Sequence, residues 1–391
     1  MKRLSQSPTD PDFIQNPYAF YDRARAQGDL FFWDDYKLPM AVSFRSVNAL
    51  LRDRRFGREP VEPRPFPKHL APFYAVEAHS MLELEAPRHT RLRKLVLRAF
   101  TSRRIATLGP EIDALAHQLI DAFPSQPFDL LPAFATRIPV IIICRLLGVP
   151  EERADDLLLW SNAMVSMYQA RRTREIEDQA IVATEAFVAF MRDYVDQRRG
   201  DPRDDLITEL IQAEEEGEKL STDELITTCI LLLNAGHEAT VHAMAIAVKT
   251  LLEQKTPAAA LAPDAIDATV EETLRFDPPL HMFTRHVYED TTLYGHDFKR
   301  GDEIGLLLGA ANRDPDMWDN PNQFEPARPV KQNTAFGAGA HFCIGAPLAR
   351  LELKHALPIL FERCPNLTIA APPEYGNVYH FHGLTSLMVF P

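Results

Sequence analysis

The sequence predicts one mainly α domain with a minor β portion, spanning residues 1–391. Two observations carry that expectation. Apolar residues recur at helical spacing through most of the chain, whereas strand-like runs are few and short. Hydrophobic residues make up 46% and charged residues 25%, enough to bury a large core.

Taken in order, Pro17–Gln27, Arg88–Phe100, Arg104–Phe123, Ala133–Leu147, Glu151–Tyr168, Thr173–Arg198 and Asp204–Glu216 all have helical patterning. Strands are expected at Leu30–Trp33, Met40–Val42, Thr284–His286, Thr291–Tyr294, Glu303–Leu307 and Leu387–Phe390. Many of the 31 prolines fall in connectors such as Glu59–Pro72 and Pro315–Pro329. No repeat, linker or run of eighteen or so uninterrupted apolar residues interrupts the pattern. The polar N-terminus lacks an apolar signal core, so a soluble, cytoplasmic protein is expected. A net charge of −13 disfavours nucleic acid as a partner. The stretch Arg88–Arg104 runs against that balance, with seven cations and no acid, as a solvated face or a site for an anionic group would.

The longest predicted helix covers about 222–253. It opens with Ser221-Thr222-Asp223-Glu224, the spacing of a capping box. Its middle reads Ala235-Gly236-His237-Glu238-Ala239-Thr240. Gly costs up to about 1 kcal/mol in a helix interior, and a carboxylate among apolar neighbours costs more unless it has a partner or water. Together they suggest a flat group approaching the backbone beside a proton carrier, or else a local kink with a solvated Glu.

Four cysteines stand far apart, at 144, 229, 343 and 364, with no C-x-x-C pair for structural zinc or an iron–sulfur cluster. Cys144 and Cys229 sit in apolar runs and read as core. Cys343 lies in the loop 336–345, Phe336-Gly337-Ala338-Gly339-Ala340-His341-Phe342-Cys343-Ile344-Gly345, followed by Ala346-Pro347 and a helical pattern over Leu348–Phe361. The three glycines permit positive φ and close contact with a planar group. Pro347 places a helix start just after the cysteine, so the amides of residues 344, 345 and 346 are expected to point at the sulfur and favour a thiolate. Phe336 would shield it. Such a thiolate can ligate iron, and haem would supply the four equatorial ligands itself. A haem-free Cys–His hydrolase using His341 is the rival from another class, with awkward dyad geometry and no orienting Asn or Asp nearby.

The sequence resembles the cytochrome P450 superfamily, particularly its soluble bacterial members. The loop 336–345 is similar to the family's F-G-x-G-x-H-x-C-x-G pattern. Glu272-Thr273-Leu274-Arg275 resembles its E-x-x-R helix, and Phe324–Arg328 the meander that supplies a third member, Arg328. His89–Arg93 resembles its H-x-x-x-R, and Ala311–Pro315 is a further hallmark. The resemblance implies a cytochrome P450 fold enclosing haem b, with Cys343 the iron ligand. It implies a haem-dependent monooxygenase inserting one oxygen atom from O2 into a hydrophobic small molecule. His89, Arg93, Arg285 and His341 are implied partners of the haem propionates; Ala235, Gly236, Phe336 and Gly345 are implied haem contacts. Glu272, Arg275 and Arg328 are read as structural. Many members carry Thr directly after the acid of the long helix, but here Ala239 follows Glu238 and Thr240 comes one position later. Glu238 and Thr240 are the candidate catalytic residues, and proton delivery by Glu238 with water or a substrate hydroxyl is favoured.

No flavin or nicotinamide fingerprint is present, so electrons are expected from a ferredoxin or flavodoxin with its reductase, docked on Arg88–Arg104, Arg350 and Lys354, to a monomer. Met81, Leu82, Met164–Tyr168, Leu232, Ala235, Ala239, His281–Phe283 and Leu384 are candidate pocket residues; Arg171, Arg172 and Arg174 suit a solvated face. A peroxide-driven or rearranging haem-thiolate enzyme, or a non-catalytic haem protein, remains an alternative.

Overall fold

The computed structural model describes residues 1–63, 65–169, 172–215 and 218–391. Its architecture is mainly helical. The central element is the helix Thr222–Glu253, which begins on the expected capping box: Ser221 Oγ accepts from the Glu224 amide at 3.2 Å and Glu224 Oε2 accepts from the Ser221 amide at 2.9 Å. This helix is long and apolar enough to cross a membrane by length and composition, yet most of its apolar window is buried within the protein, as a core helix requires. It packs on Arg137–Leu147, Ala154–Val165, Arg174–Gly200, Ile266–Phe276 and Ala346–Arg363. One large apolar cluster joins these helices, and two smaller clusters lie on the two faces of the sheet.

That sheet has six strands in the order Lys2–Leu4, Leu30–Trp33, Leu38–Ala41, Glu303–Leu307, Met282–Val287 and Phe56–Gly57. Met282–Val287 runs antiparallel to Glu303–Leu307 with Arg285 opposite Ile304. This register places the side chains of Phe283 and Arg285 on one face of the strand.

Several expected elements differ. Arg104–Phe123 is two helices, Ser102–Ala106 and Gly109–Asp121, because Gly109-Pro110 starts a new one. The Ala133–Leu147 helix begins as a π turn, Leu131–Ala135, before the α-helix Arg137–Leu147. Glu151–Tyr168 is α-helical only over Ala154–Val165, with 3₁₀ turns at both ends. The Asp204–Glu216 helix covers only Leu206–Gln212, since Ala213 is extended and leads into a strand; Glu216 lies outside the described residues, as does Arg171. The Pro-rich connector hides a helix, Ala71–Glu77, with Pro72 in its first turn. The strand Lys2–Leu4 was not anticipated because its partner, Leu30–Trp33, is distant in sequence.

The E-x-x-R helix is fixed by a buried ion network. Glu272 accepts from Arg275 Nε at 2.7 Å and Nη2 at 2.8 Å, from Arg328 Nε at 3.1 and 3.2 Å, and from the Glu325 amide at 2.8 Å. Both arginines also cap backbone carbonyls of residues 312–323. Nearby, the Asn312 side-chain oxygen Oδ1 accepts from the Thr334 amide and hydroxyl at 2.7 and 2.8 Å, tying this segment to the chain that enters the cysteine loop.

Candidate haem-thiolate site

The cysteine loop is a turn closed by the Cys343 amide donating to the Phe336 carbonyl at 3.0 Å. Gly337 and Gly339 adopt φ of +67° and +71°, as expected, but Gly345 does not need positive φ: it is the N-cap of Ala346–Arg363 at φ −81°. At Gly339 a Cβ would strike the Leu51 carbonyl, so that glycine serves a loop-to-loop approach rather than a planar group. Pro347 occupies the first helical turn.

Cys343 keeps accessible surface although protein crowds around it. Burial pushes its thiol up, while the amides of Gly345 and Ala346 and the charges of Arg93 and Arg350 pull it down; burial prevails. The amides of Gly345 and Ala346, two of the expected three, act on the sulfur at the start of the helix. Cys144 and Cys229 are plain core thiols, pushed up to about 12 by burial. Phe336 is half-buried beneath the Arg350 guanidinium, 4.5 Å from its ring centre.

The structure brings His89, Arg93 and His341 together. The rings of His89 and His341 stack at 4.2 Å, and Arg93 donates to the Phe342 carbonyl at 2.5 Å. Arg285 is buried on its strand with the Thr284 carbonyl as a hydrogen-bond acceptor. Burial and the neighbouring Arg58 depress its pKa to about 9, and the Nε2 of buried His89 has no partner. Burial, then His341, lowers the His89 pKa to about 4. A buried guanidinium that feels Glu85 and Glu83 but forms no ion pair among the described residues, and an orphaned imidazole nitrogen, fit an anionic group such as a haem propionate.

Sequence reasoning missed the acid in this cluster: Glu85 accepts from His341 Nε2 and the Arg58 amide, both at 2.8 Å. It also missed Arg58 and a neighbouring group in which Tyr168 donates to Glu77 at 3.0 Å. Burial and the charge of Glu83 push Glu77 up to about 8. These residues scatter through the connector and the turns after it, so no local periodicity marks them.

In the long helix, Ala235 is exposed mid-helix, an accessible face fit for a flat cofactor. Gly236 serves another purpose than expected: a Cβ there would lie 3.0 Å from Ile143 Cγ1, so the glycine lets two helices approach. Glu238 lies 3.7 Å from both His237 Nε2 and His242 Nε2. Burial pushes its carboxyl up, but His242 and His237 outweigh that and hold it below the usual glutamate range. The Thr240 hydroxyl is buried and donates back to the Gly236 carbonyl at 3.3 Å.

The remaining expectations divide. His281 is wholly buried among tyrosines, away from any open face. Arg172 and Arg174 engage the Met167 carbonyl and Asp178, as a solvated face would. The basic run is less cationic than its count suggested. Arg91 pairs with Glu218 and Glu224, and Arg104 with Asp204 and Glu209. Arg350 pairs with Glu271, and Lys354 with Asp267.

A cysteine at a helix mouth with Arg93 and Arg350 acting on it, and an exposed Ala235 on the core helix, are parts that a haem-thiolate arrangement needs. The family model for cytochrome P450 matches residues 143–262 and 265–369. The chain is 35% identical to the polyketide biosynthesis cytochrome P450 PksS of Bacillus subtilis, over 100% of this chain and 99% of that protein. It is 35% identical to the cytochrome P450 monooxygenase PikC of Streptomyces venezuelae, covering 93% and 87%. The crystal structure of P450BioI with a hexadec-9Z-enoic acid ligated acyl carrier protein superposes with a TM-score of 0.92 at 32% identity, over 97% and 99%. The chain belongs to the cytochrome P450 family. It is a cytochrome P450 monooxygenase with the P450 fold and haem b as its cofactor.

Proposed function

We propose that Cys343 is the axial iron ligand of a single-domain monooxygenase that acts on a hydrophobic small molecule with electrons from a separate ferredoxin or flavodoxin. The observation that carries the reading is the accessible Cys343 sulfur facing the Gly345 and Ala346 amides at the start of Ala346–Arg363. Bound haem supplies reductive activation of O2 and insertion of one oxygen atom, the other leaving as water.

The chain's own residues do the rest. The two amides and the cations of Arg93 and Arg350 lower the cost of removing the thiol proton, which ligation requires. Arg285 and His89, with Arg93 and His341, orient the cofactor through its carboxylates. Ala235, exposed in the middle of the long helix, presents a small side chain to it. Glu238, ionised between His237 and His242, holds and releases protons, whereas the Thr240 hydroxyl is engaged with Gly236. On the cysteine side a depression of about 420 Å³ is lined by Val330, Phe336 and Phe342, by Lys331, by Gln332 and Asn333, and by Arg350 with its partner Glu271. Leu97 and Phe342 are exposed, at 46% and 37%. Apolar residues beside Lys331, which forms no ion pair among the described residues, and Arg350, only partly neutralised by Glu271, suit an acidic electron-transfer protein.

A reduced carbon monoxide difference spectrum tests the ligand. A thiolate-type Soret band is expected from the wild type and its loss from Cys343→Ser; an unchanged band in the variant refutes the assignment. The engaged Thr240 hydroxyl also favours a second reading, peroxide-driven turnover. Comparing NADH, ferredoxin and reductase with hydrogen peroxide separates the two, since the leading reading requires the reductase system to support the faster reaction.

A further inference from the structure

Away from the cysteine loop, the structure packs a histidine–histidine–carboxylate group where the C-terminal segment crosses the end of the E-x-x-R helix. Asp277 is the C-cap of Ile266–Phe276, His281 precedes the strand Met282–Val287, and His382 comes from the C-terminal segment. All three are buried, His281 completely. One donor atom from each lies within 4.8 Å of the other two. Asp277 Oδ1 is 3.9 Å from His281 Nε2 and 3.7 Å from His382 Nε2, too far for hydrogen bonds. No side chain bonds His281 Nε2, and the Pro278 carbonyl is the backbone acceptor that acts on the ring; a buried polar atom left short of partners is costly.

The surroundings hold each side chain for ligation. Tyr18 donates to Asp277 Oδ1 at 2.8 Å and Tyr375 donates to Oδ2. The far nitrogen of His281, Nδ1, is 2.8 Å from the Tyr21 hydroxyl, which in turn is 2.6 Å from that of Tyr379. The His382 ring stacks on Tyr375 at 3.8 Å, and its amide donates to the Pro279 carbonyl at 2.8 Å. Gly309 makes room for the His281 ring, since a Cβ there would sit 2.8 Å from Nδ1. Ligands whose outer atoms are bonded to a second layer are the usual environment of a bound metal. Arg313, which donates to the Phe276 carbonyl and covers Tyr18, and Lys249, which lies over Tyr375, are near enough to act on Asp277 and His382 and help to keep the carboxylate ionised.

We propose that Asp277, His281 and His382 bind a divalent transition-metal ion of the zinc type, separate from haem iron, that pins the C-terminal segment to the E-x-x-R helix. Two imidazoles and one carboxylate match zinc, whose tetrahedral bonds of about 2.0–2.2 Å put donors about 3.3–3.5 Å apart. The two carboxylate–imidazole spacings, 3.9 and 3.7 Å, need to contract by roughly 0.3–0.5 Å, and the imidazole–imidazole spacing, within 4.8 Å, has to close to the same range. The fourth position falls to a water or hydroxide. The segment so pinned continues into Leu384, a candidate pocket residue, so metal occupancy would stiffen that border.

The test uses the haem-loaded protein, in which Cys343 is occupied, stripped with a chelator, equilibrated with zinc chloride and passed through a desalting column. Elemental analysis should find one zinc per chain besides iron, and calorimetric titration should give a single site. His382→Gln should weaken zinc binding at least tenfold. Tyr21→Phe, which leaves all three ligands in place, should weaken it about tenfold by releasing the His281 ring. The thermal midpoint of the wild type, but not of His382→Gln, should rise with zinc. Failure of wild-type protein with an intact haem spectrum to retain zinc overturns the proposal, as does equal zinc affinity in wild type and Tyr21→Phe. Should His382→Gln not fold, the Tyr21→Phe comparison decides.

Discussion

Replacing Glu272 by Gln keeps the side-chain shape but removes the one negative charge that Arg275 and Arg328 share. Glu272 is 2% exposed and Arg275 1%, so water cannot take its place. Four side-chain donor contacts from the two guanidinium groups converge on this carboxylate. Removing one partner of a buried ion pair costs about 3–5 kcal/mol, because the remaining charge stays buried and uncompensated. At about 2.1 cal/mol/K per residue, a chain of 391 residues unfolds with an entropy of about 0.8 kcal/mol/K. The thermal midpoint should then fall by about 4–6 °C. The adjacent Glu271 is an internal control: its pair with Arg350 is partly exposed, so Glu271→Gln should cost only about 0–1 kcal/mol. Urea unfolding followed by far-ultraviolet circular dichroism measures both variants without depending on the haem spectrum. A loss below about 1 kcal/mol for Glu272→Gln, or equal losses for the two, would refute the claim that this network secures the fold.

Other outcomes follow from the site. Glu238→Gln should slow product formation far more than Thr240→Ala in single-turnover assays, because the Thr240 hydroxyl is bonded to Gly236; a larger loss for Thr240→Ala contradicts that assignment. Glu77, pushed from 4.5 to about 8, keeps its proton in the folded protein at pH values where the unfolded chain has lost it. Its stabilising contribution is therefore complete below about pH 4.5 and disappears as pH rises through about 8. The wild type should lose stability relative to Glu77→Gln across that window, by up to about 1.4 kcal/mol per pH unit, and parallel stability curves would disprove it. Electron delivery from an acidic ferredoxin should slow as salt rises. The slope should be modest, because Arg91, Arg104, Arg350 and Lys354 are already paired; stopped-flow reduction at graded ionic strength measures it.

Short-range chemistry was legible in the chain itself. Ser221 and Glu224 announced the start of the long helix, Pro347 placed the helix after the cysteine, and Glu272, Arg275 and Arg328 formed the expected network. In each case the information lies in spacing within one motif, or in motifs recognised together. The isolated apolar settings of Cys144 and Cys229 likewise identified them as core.

What lies around those motifs depended on contacts between distant segments. No local pattern says that Gly236 faces Ile143, that Gly339 clears Leu51, or that Glu85 accepts from His341. The charge of Arg88–Arg104 was readable as a count, but its neutralisation by acids a hundred or more residues away was not. Asp277 and His382 gave no sign in the sequence that they would meet His281. A side chain's type is written in the chain, but its desolvation and its partners are set by which surfaces pack together, and only the folded arrangement decides those.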